Sequence, residues 1–159
     1  MRGLEGMPAV PRPRRPEDFE LLYKGTPPWE IGRPQPALLA LAEAGAIGGR
    51  VLDVGCGTGE HALLAASLGL EATGIDLAAA AIERAREKAA RRGLQARFVV
   101  GSVLDLAELD EQFDTVLDSG LFHVLKDDDR SVFVAGLRAV VPPGGRYFLL
   151  ASATQSSRR

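Results

Sequence analysis

Apolar positions along this chain alternate between two spacings, and glycines mark the switch points. Val51, Leu52 and Val54 are apolar and partly β-branched, as a buried strand requires. From Glu60 the pattern becomes EHALLAASLG, with helical spacing and good helix formers. Residues 71–76 (EATGID) read as a second strand, and residues 77–92 as an Ala-, Arg- and Glu-rich helix stopped at Gly93. Residues 96–101 (ARFVVG) and 113–119 (FDTVLDS) read as the third and fourth strands. Asp127, Asp128 and Asp129 supply capping and first-turn negative charge for a helix through Val140. Pro142 and Pro143 end it, Gly144 and Gly145 turn the chain, and residues 146–151 (RYFLLA) make a fifth strand. Strands alternating with helices predict an α/β fold, a doubly wound parallel sheet with right-handed crossovers. The expected strand order is 3-2-1-4-5, with a ligand crevice at the carboxyl ends of strands one and four.

The flanking segments read differently. Residues 1–16 hold Pro8, Pro11, Pro13 and Pro16 among Arg12, Arg14 and Arg15, which predicts a flexible tail. Residues 17–24 (EDFELLYK) predict a short helix with Phe19 and Leu22 on one face. A Gly- and Pro-rich loop follows and carries Trp29. A further helix starts at Pro34 or Pro36, where proline is tolerated, and stops at Gly45. Residues 17–46 therefore read as a cap, residues 47–152 as the main domain, and residues 153–159 as a frayed polar tail.

Composition narrows the function classes. A chain of 159 residues, 46% apolar and 25% charged, suits one globular domain with a real core. A net charge of −2 argues against a general attraction to nucleic acid or anionic lipid. Arg84, Arg86, Lys88, Arg91 and Arg92 are interleaved with Glu83 and Glu87, which reads as a solvated helix face. The single cysteine, Cys56, excludes an intramolecular disulfide and fits a reducing cytoplasm. No apolar run is long enough to span a membrane, and the first residues lack the apolar core of a signal peptide. One cysteine and two distant histidines offer no metal-ligand spacing.

Strand, glycine turn and helix meet at residues 51–60, the arrangement that receives a nucleotide in doubly wound sheets. Gly55 and Gly57 fit a dinucleotide fingerprint, but its third glycine position is Glu60, and the glycine sits instead at Gly59. Charge adds a second distinction. Asp53 lies inside the strand, Glu60 opens the helix, and Asp118 ends the neighbouring strand. Acids there would repel a pyrophosphate and suit a ligand bearing a sulfonium and an α-ammonium group. At an effective dielectric of about 20, opposite charges about 4 Å apart attract by roughly 4 kcal/mol before desolvation. Asp76 ends the second strand, where a carboxylate can accept both hydroxyls of a ribose or serve as a plain N-cap.

These residues now carry a family resemblance. VLDVGCGTG, GIDLAAAAIERAREKA, FVVGSVLDL, FDTVLDSGLFHVL and PPGGRYFLL resemble, in order and spacing, the successive motifs of class I S-adenosylmethionine-dependent methyltransferases. The resemblance covers residues 47–151 and implies a Rossmann-like fold, here lacking the usual last two strands. It implies S-adenosylmethionine as cofactor. Asp53 and the turn at Gly55, Cys56, Gly57 and Gly59 would hold its methionine part, and Asp76 with Leu77 its ribose side. Ser102 and Val103 would flank the adenine, and Asp118 and Ser119 would face the amino group and methyl. Ser102 departs from the family, which most often has Asp there to bond the adenine amino group. Tyr23, Gly25, Pro27, Pro28, Trp29, Glu30, Gly32 and Arg33 resemble the Pro-Trp-acid-x-Gly segment of thiopurine, thiol and halide methyltransferases. That likeness implies a lid; Trp29 simply packing on the sheet edge is the other reading.

Methyl transfer from a sulfonium is an in-line displacement, so the protein must align the acceptor and exclude water. A base is needed only for a poorly ionised acceptor. His123, just after strand four, either deprotonates an acceptor or lines the pocket, while His61 caps or packs and Cys56 lacks an adjacent base. The expected function is methylation of a sulfur or oxygen nucleophile of a small molecule. The alternative is a non-catalytic cofactor-binding homologue or partner subunit, because the sequence ends soon after strand five. The exposed fifth-strand edge would then suit a homodimer.

Overall fold

A computed structural model describes residues 31–150. The expectations for residues 1–30, including Trp29, and for residues 151–159 lie outside the described residues. Helix α1 spans Pro36–Glu43, with proline in its first turn and Gly45 in a left-handed conformation just beyond its end. Then follow β1 (Val51–Val54), α2 (Glu60–Ser67), β2 (Ala72–Asp76), α3 (Ala79–Arg92) and β3 (Arg97–Val100). A 3-10 helix at Val103–Leu109, β4 (Thr115–Ser119), α4 (Leu121–Val124), α5 (Asp127–Val140) and β5 (Arg146–Leu150) complete the order. The 3-10 helix and α4 are elements that periodicity does not reveal, because neither is long enough to show it.

The five strands form one sheet in the order β3-β2-β1-β4-β5, and every pairing is parallel. The doubly wound α/β arrangement therefore stands as expected. Every residue of β1 and β2 is buried, which explains their apolar runs. Alternation along the strands separates two cores. Val51 and Leu117 face a layer with Leu38, Leu63, Ile82 and Phe98, whereas Leu52, Val54 and Val116 face Phe113, Phe133 and Val140. Tyr147 joins the second layer, and Phe148 the first.

Two helix starts differ in detail from the sequence reading. Helix α3 begins at Ala79, because the Asp76 carboxylate accepts the Ala78 N–H at 2.8 Å and holds residues 77–78 in a turn. Lys126, without a side-chain bond, is the N-cap of α5, and Asp127, Asp128 and Asp129 all lie in its first turn. They face the positive end of the helix dipole there, which keeps the electrostatic part of the expectation.

Candidate functional site

The carboxyl ends of β1, β2 and β4 converge on the turn from Gly55 to Gly59. Gly55, Gly57 and Gly59 have φ of 62°, 55° and 89°, a left-handed backbone that other residues rarely adopt. At Gly59 a Cβ would come within 2.7 Å of the Phe98 ring and 2.9 Å of the Ala85 Cβ. That glycine therefore serves the close approach of α2 to α3 and β3.

Each of three acids holds the backbone that follows or faces its strand. Asp53 Oδ2 accepts the Ala62 N–H at 3.2 Å, in the first turn of α2. Asp76 accepts the Gly57 N–H at 2.9 Å as well as that of Ala78, so it ties β2 to the glycine turn. Asp118, with no exposed surface, accepts the N–H groups of Leu121 at 2.7 Å and Phe122 at 3.2 Å. It also accepts the Tyr147 hydroxyl at 2.5 Å. Burial pushes the Asp53 carboxyl well above its ordinary range; the Ala62 N–H opposes this, and Asp118 and Asp76 add to it. Burial likewise raises Asp118, against the pull of Tyr147 and the two backbone amides. Among the described residues, no lysine or arginine forms an ion pair with Asp53 or Asp118.

Glu60 does not belong to this acidic group. It turns to α3, where Lys88 Nζ donates to it at 2.7 Å and Arg92 donates at 2.9 and 3.0 Å. Lys88 also reaches Thr58 Oγ1 at 2.7 Å. The Arg86 guanidinium donates to the Phe98 carbonyl at 2.7 Å. Part of the basic stripe on α3 is thus structural, a correction to its reading as a wholly solvated face. Partners 28 and 32 positions away carry no local sequence signal.

The remaining candidates separate into packing and surface. Cys56 is buried beside Gly74, and burial pushes its thiol up, so it behaves as a core residue within the turn. His61 Nε2 accepts the Gln35 N–H at 3.0 Å and ties α2 to the start of α1. Ser102 Oγ accepts the Leu104 N–H at 3.1 Å and caps the 3-10 helix, while Val103 is buried below it. Leu77, next to Asp76, is 40% exposed, and Ser119 is exposed at the end of β4. His123 is exposed on α4, its ring edge-on to Phe122 at 6.5 Å. A groove of about 690 Å³ lies at the other end of the sheet, lined in part by Arg50, Glu71, Arg97 and Glu111. Its charges pair with one another. Among the described residues no cluster of His, Cys, Asp and Glu could hold a metal, and no helix is long and apolar enough to cross a membrane.

A family described as a methyltransferase domain matches residues 51–145, more than half of the chain. The chain belongs to this family. A 2-heptyl-1-hydroxyquinolin-4(1H)-one methyltransferase of Mycobacteroides abscessus is 38% identical over 141 residues, covering 83% of this chain and 62% of that protein. A structure described under the conversion of a disulfide bond into a thioacetal group during echinomycin biosynthesis aligns with a TM-score of 0.76 and 50% identity. It covers 80% of this chain and 58% of that one. The glycopeptide N-methyltransferase MtfA, complexed with S-adenosyl-L-methionine, aligns with a TM-score of 0.66 and 27% identity over 77% of this chain and 57% of that one. The methyltransferase fold extends across the sheet and glycine turn, and this chain spans less than two thirds of the length of each of these relatives.

Proposed function

We propose that this methyltransferase-family chain binds S-adenosylmethionine at the carboxyl ends of β1, β2 and β4. It transfers the methyl to a sulfur or oxygen nucleophile of a small molecule. The observation that carries the reading is the two buried acids Asp53 and Asp118, neither ion-paired to a lysine or arginine among the described residues, beside a left-handed glycine turn. Such a corner disfavours a diphosphate and favours a cation. Bound S-adenosylmethionine supplies an electrophilic methyl on positively charged sulfur.

This chain's residues supply the rest. Asp76, at the carboxyl end of β2 and tied to the glycine turn through the Gly57 N–H, presents its carboxylate to the ribose hydroxyls. Leu77, exposed beside Asp76, offers apolar surface on the ribose side, and Ser102 and Val103 flank the adenine. Asp53, Gly55, Cys56, Gly57 and Gly59 shape the methionine end, and Asp118 and Ser119 border the methyl. His123 accepts a proton where the acceptor is poorly ionised. The sulfur acceptor is supported by the thioacetal chemistry named for a structural relative, and an oxygen acceptor by the hydroxyl-bearing quinolone named for a sequence relative.

Calorimetry with S-adenosylmethionine, S-adenosylhomocysteine and NAD tests the cofactor, and tight binding of NAD alone rejects the proposal. Asp76→Ala is expected to weaken S-adenosylmethionine by about 1.5–3 kcal/mol; an unchanged affinity removes Asp76 from the site. A screen of thiols, phenols and 2-heptyl-1-hydroxyquinolin-4(1H)-one for methylated product tests catalysis. Cofactor binding with no product from any of them rejects the catalytic half.

A further inference from the structure

Helix α4 is a single turn, Leu121–Val124. A helix this short does not hold itself in water, because nucleation costs more than one turn returns. Its position nevertheless matters: the Leu121 side chain lies so close to the glycine turn that a Cβ on Gly55 would meet it at 3.2 Å. The same turn carries His123. What holds α4 comes from elsewhere in the chain.

Both ends of the turn are bound by side chains of opposite charge. At the amino end, the two Asp118 oxygens accept the N–H groups of Leu121 and Phe122. At the carboxyl end, Arg130 Nε donates to the Phe122 carbonyl at 3.2 Å and its Nη2 to the His123 carbonyl at 3.4 Å. The Arg130 guanidinium also lies 4.8 Å from the centre of the Phe122 ring. Each charge complements the helix end that it meets. Tyr147 then fixes the acid itself, donating from β5 to the oxygen that also receives Phe122. The Tyr147 ring packs on Phe133 at 6.2 Å, and Phe133 packs on Phe122 at 6.4 Å, so the aromatic stack backs the same turn. Burial and Asp118 push the Tyr147 hydroxyl above its ordinary range, which keeps it a proton donor in this bond.

We infer that Tyr147 and Arg130 are positioning residues, clamping α4 against the glycine turn from its two ends, Tyr147 through Asp118 and Arg130 directly. On the proposed function, on which the catalytic part of this inference rests, α4 forms the acceptor side of the site. Loosening the clamp therefore misplaces the acceptor and leaves the cofactor turn intact. Tyr147→Phe removes one hydroxyl and keeps the ring; Arg130→Ala removes the other jaw.

Two measurements test it on the full chain. Hydrogen exchange followed by NMR needs neither cofactor nor acceptor. In Tyr147→Phe and in Arg130→Ala, the Leu121 and Phe122 amides are expected to exchange about tenfold faster, with Leu52 in β1 unchanged. Unchanged exchange at Leu121 and Phe122 in both variants overturns the clamp. The second measurement is steady-state methyl transfer to 2-heptyl-1-hydroxyquinolin-4(1H)-one, with S-adenosylhomocysteine affinity measured alongside. In Tyr147→Phe, kcat is expected to fall about tenfold while the affinity for S-adenosylhomocysteine, which carries no sulfonium charge, holds within about twofold. An unchanged kcat overturns the positioning role. Should the wild-type chain itself fail to methylate this probe, that result counts against the proposed function, and the exchange data alone decide the clamp.

Discussion

Glu60 and Asp53 stand seven positions apart, and their surroundings shift them in opposite directions. Burial alone would raise the Glu60 carboxyl, but the hydrogen bonds from Arg92 and Lys88 outweigh it and hold it below its ordinary 4.5. Its contribution to stability is therefore present at neutral pH and lost as pH falls through that lowered value. Glu60→Ala leaves Lys88, 12% exposed, without its main partner, and is expected to cost about 3 kcal/mol by chemical denaturation at pH 7. A loss that does not shrink as pH is taken well below 4.5 would refute the ion-pair origin. Asp53 has the reverse sign. Its folded carboxyl is raised from 3.8, so the native state binds more protons than the unfolded one and stability declines as pH climbs from 3.8 through the raised value. Asp53→Asn is expected to flatten that decline while weakening S-adenosylmethionine; a slope equal to wild type would remove Asp53 as its source. Gly59→Ala combines φ of 89° with a 2.7 Å approach to Phe98 and is expected to cost about 3 kcal/mol. A melting temperature within a degree or so of wild type would show that α2 can shift away.

At the scale of elements, the strands and the longer helices announce themselves and the connections do not. Buried runs such as VLDV and ATGID are continuous because parallel strands in a covered sheet have no wet face. Helix α5 is legible in its extent, since three aspartates fill its first turn and two prolines follow its last, although its N-cap is Lys126. The junctions between elements rest on partners remote in sequence: His61 with Gln35, 26 positions apart, and Tyr147 with Asp118, 29 positions apart. His61→Ala would strip the Gln35 N–H at the head of α1 of its acceptor. The expected result is faster amide exchange in α1 and a stability loss of about 1 kcal/mol, with β1 unaffected. Equal protection of α1 in variant and wild type would show that the histidine is not its tether.

For the whole molecule, the central point is where charge collects. Asp53, Asp76 and Asp118 come from three strands at one end of the sheet, where Asp118 and Asp76 add to the rise of the Asp53 carboxyl, while the charges at the other end cancel locally. A cation bound among the acids would favour their ionised forms. Binding of S-adenosylmethionine should therefore release protons, and its affinity should rise with pH above 3.8 until the raised carboxyls have ionised. S-adenosylhomocysteine, without the sulfonium charge, should show a shallower slope; identical slopes in calorimetry would remove the electrostatic basis. Saturation near 100 times Kd should also raise the melting temperature by about 8 °C. By itself the sequence determined the order of strands and helices, the parallel sheet, the glycine turn and the acids at the strand ends. All of these depend on spacing along one chain and on the local demands of buried strands and left-handed turns. Only the tertiary structure decided what each acid meets: Asp53 the Ala62 N–H in α2, and Asp118 the Leu121 and Phe122 N–H groups and the Tyr147 hydroxyl. It also withdrew Glu60 from the site, since the lysine and arginine that neutralise it meet it only after α2 and α3 pack together.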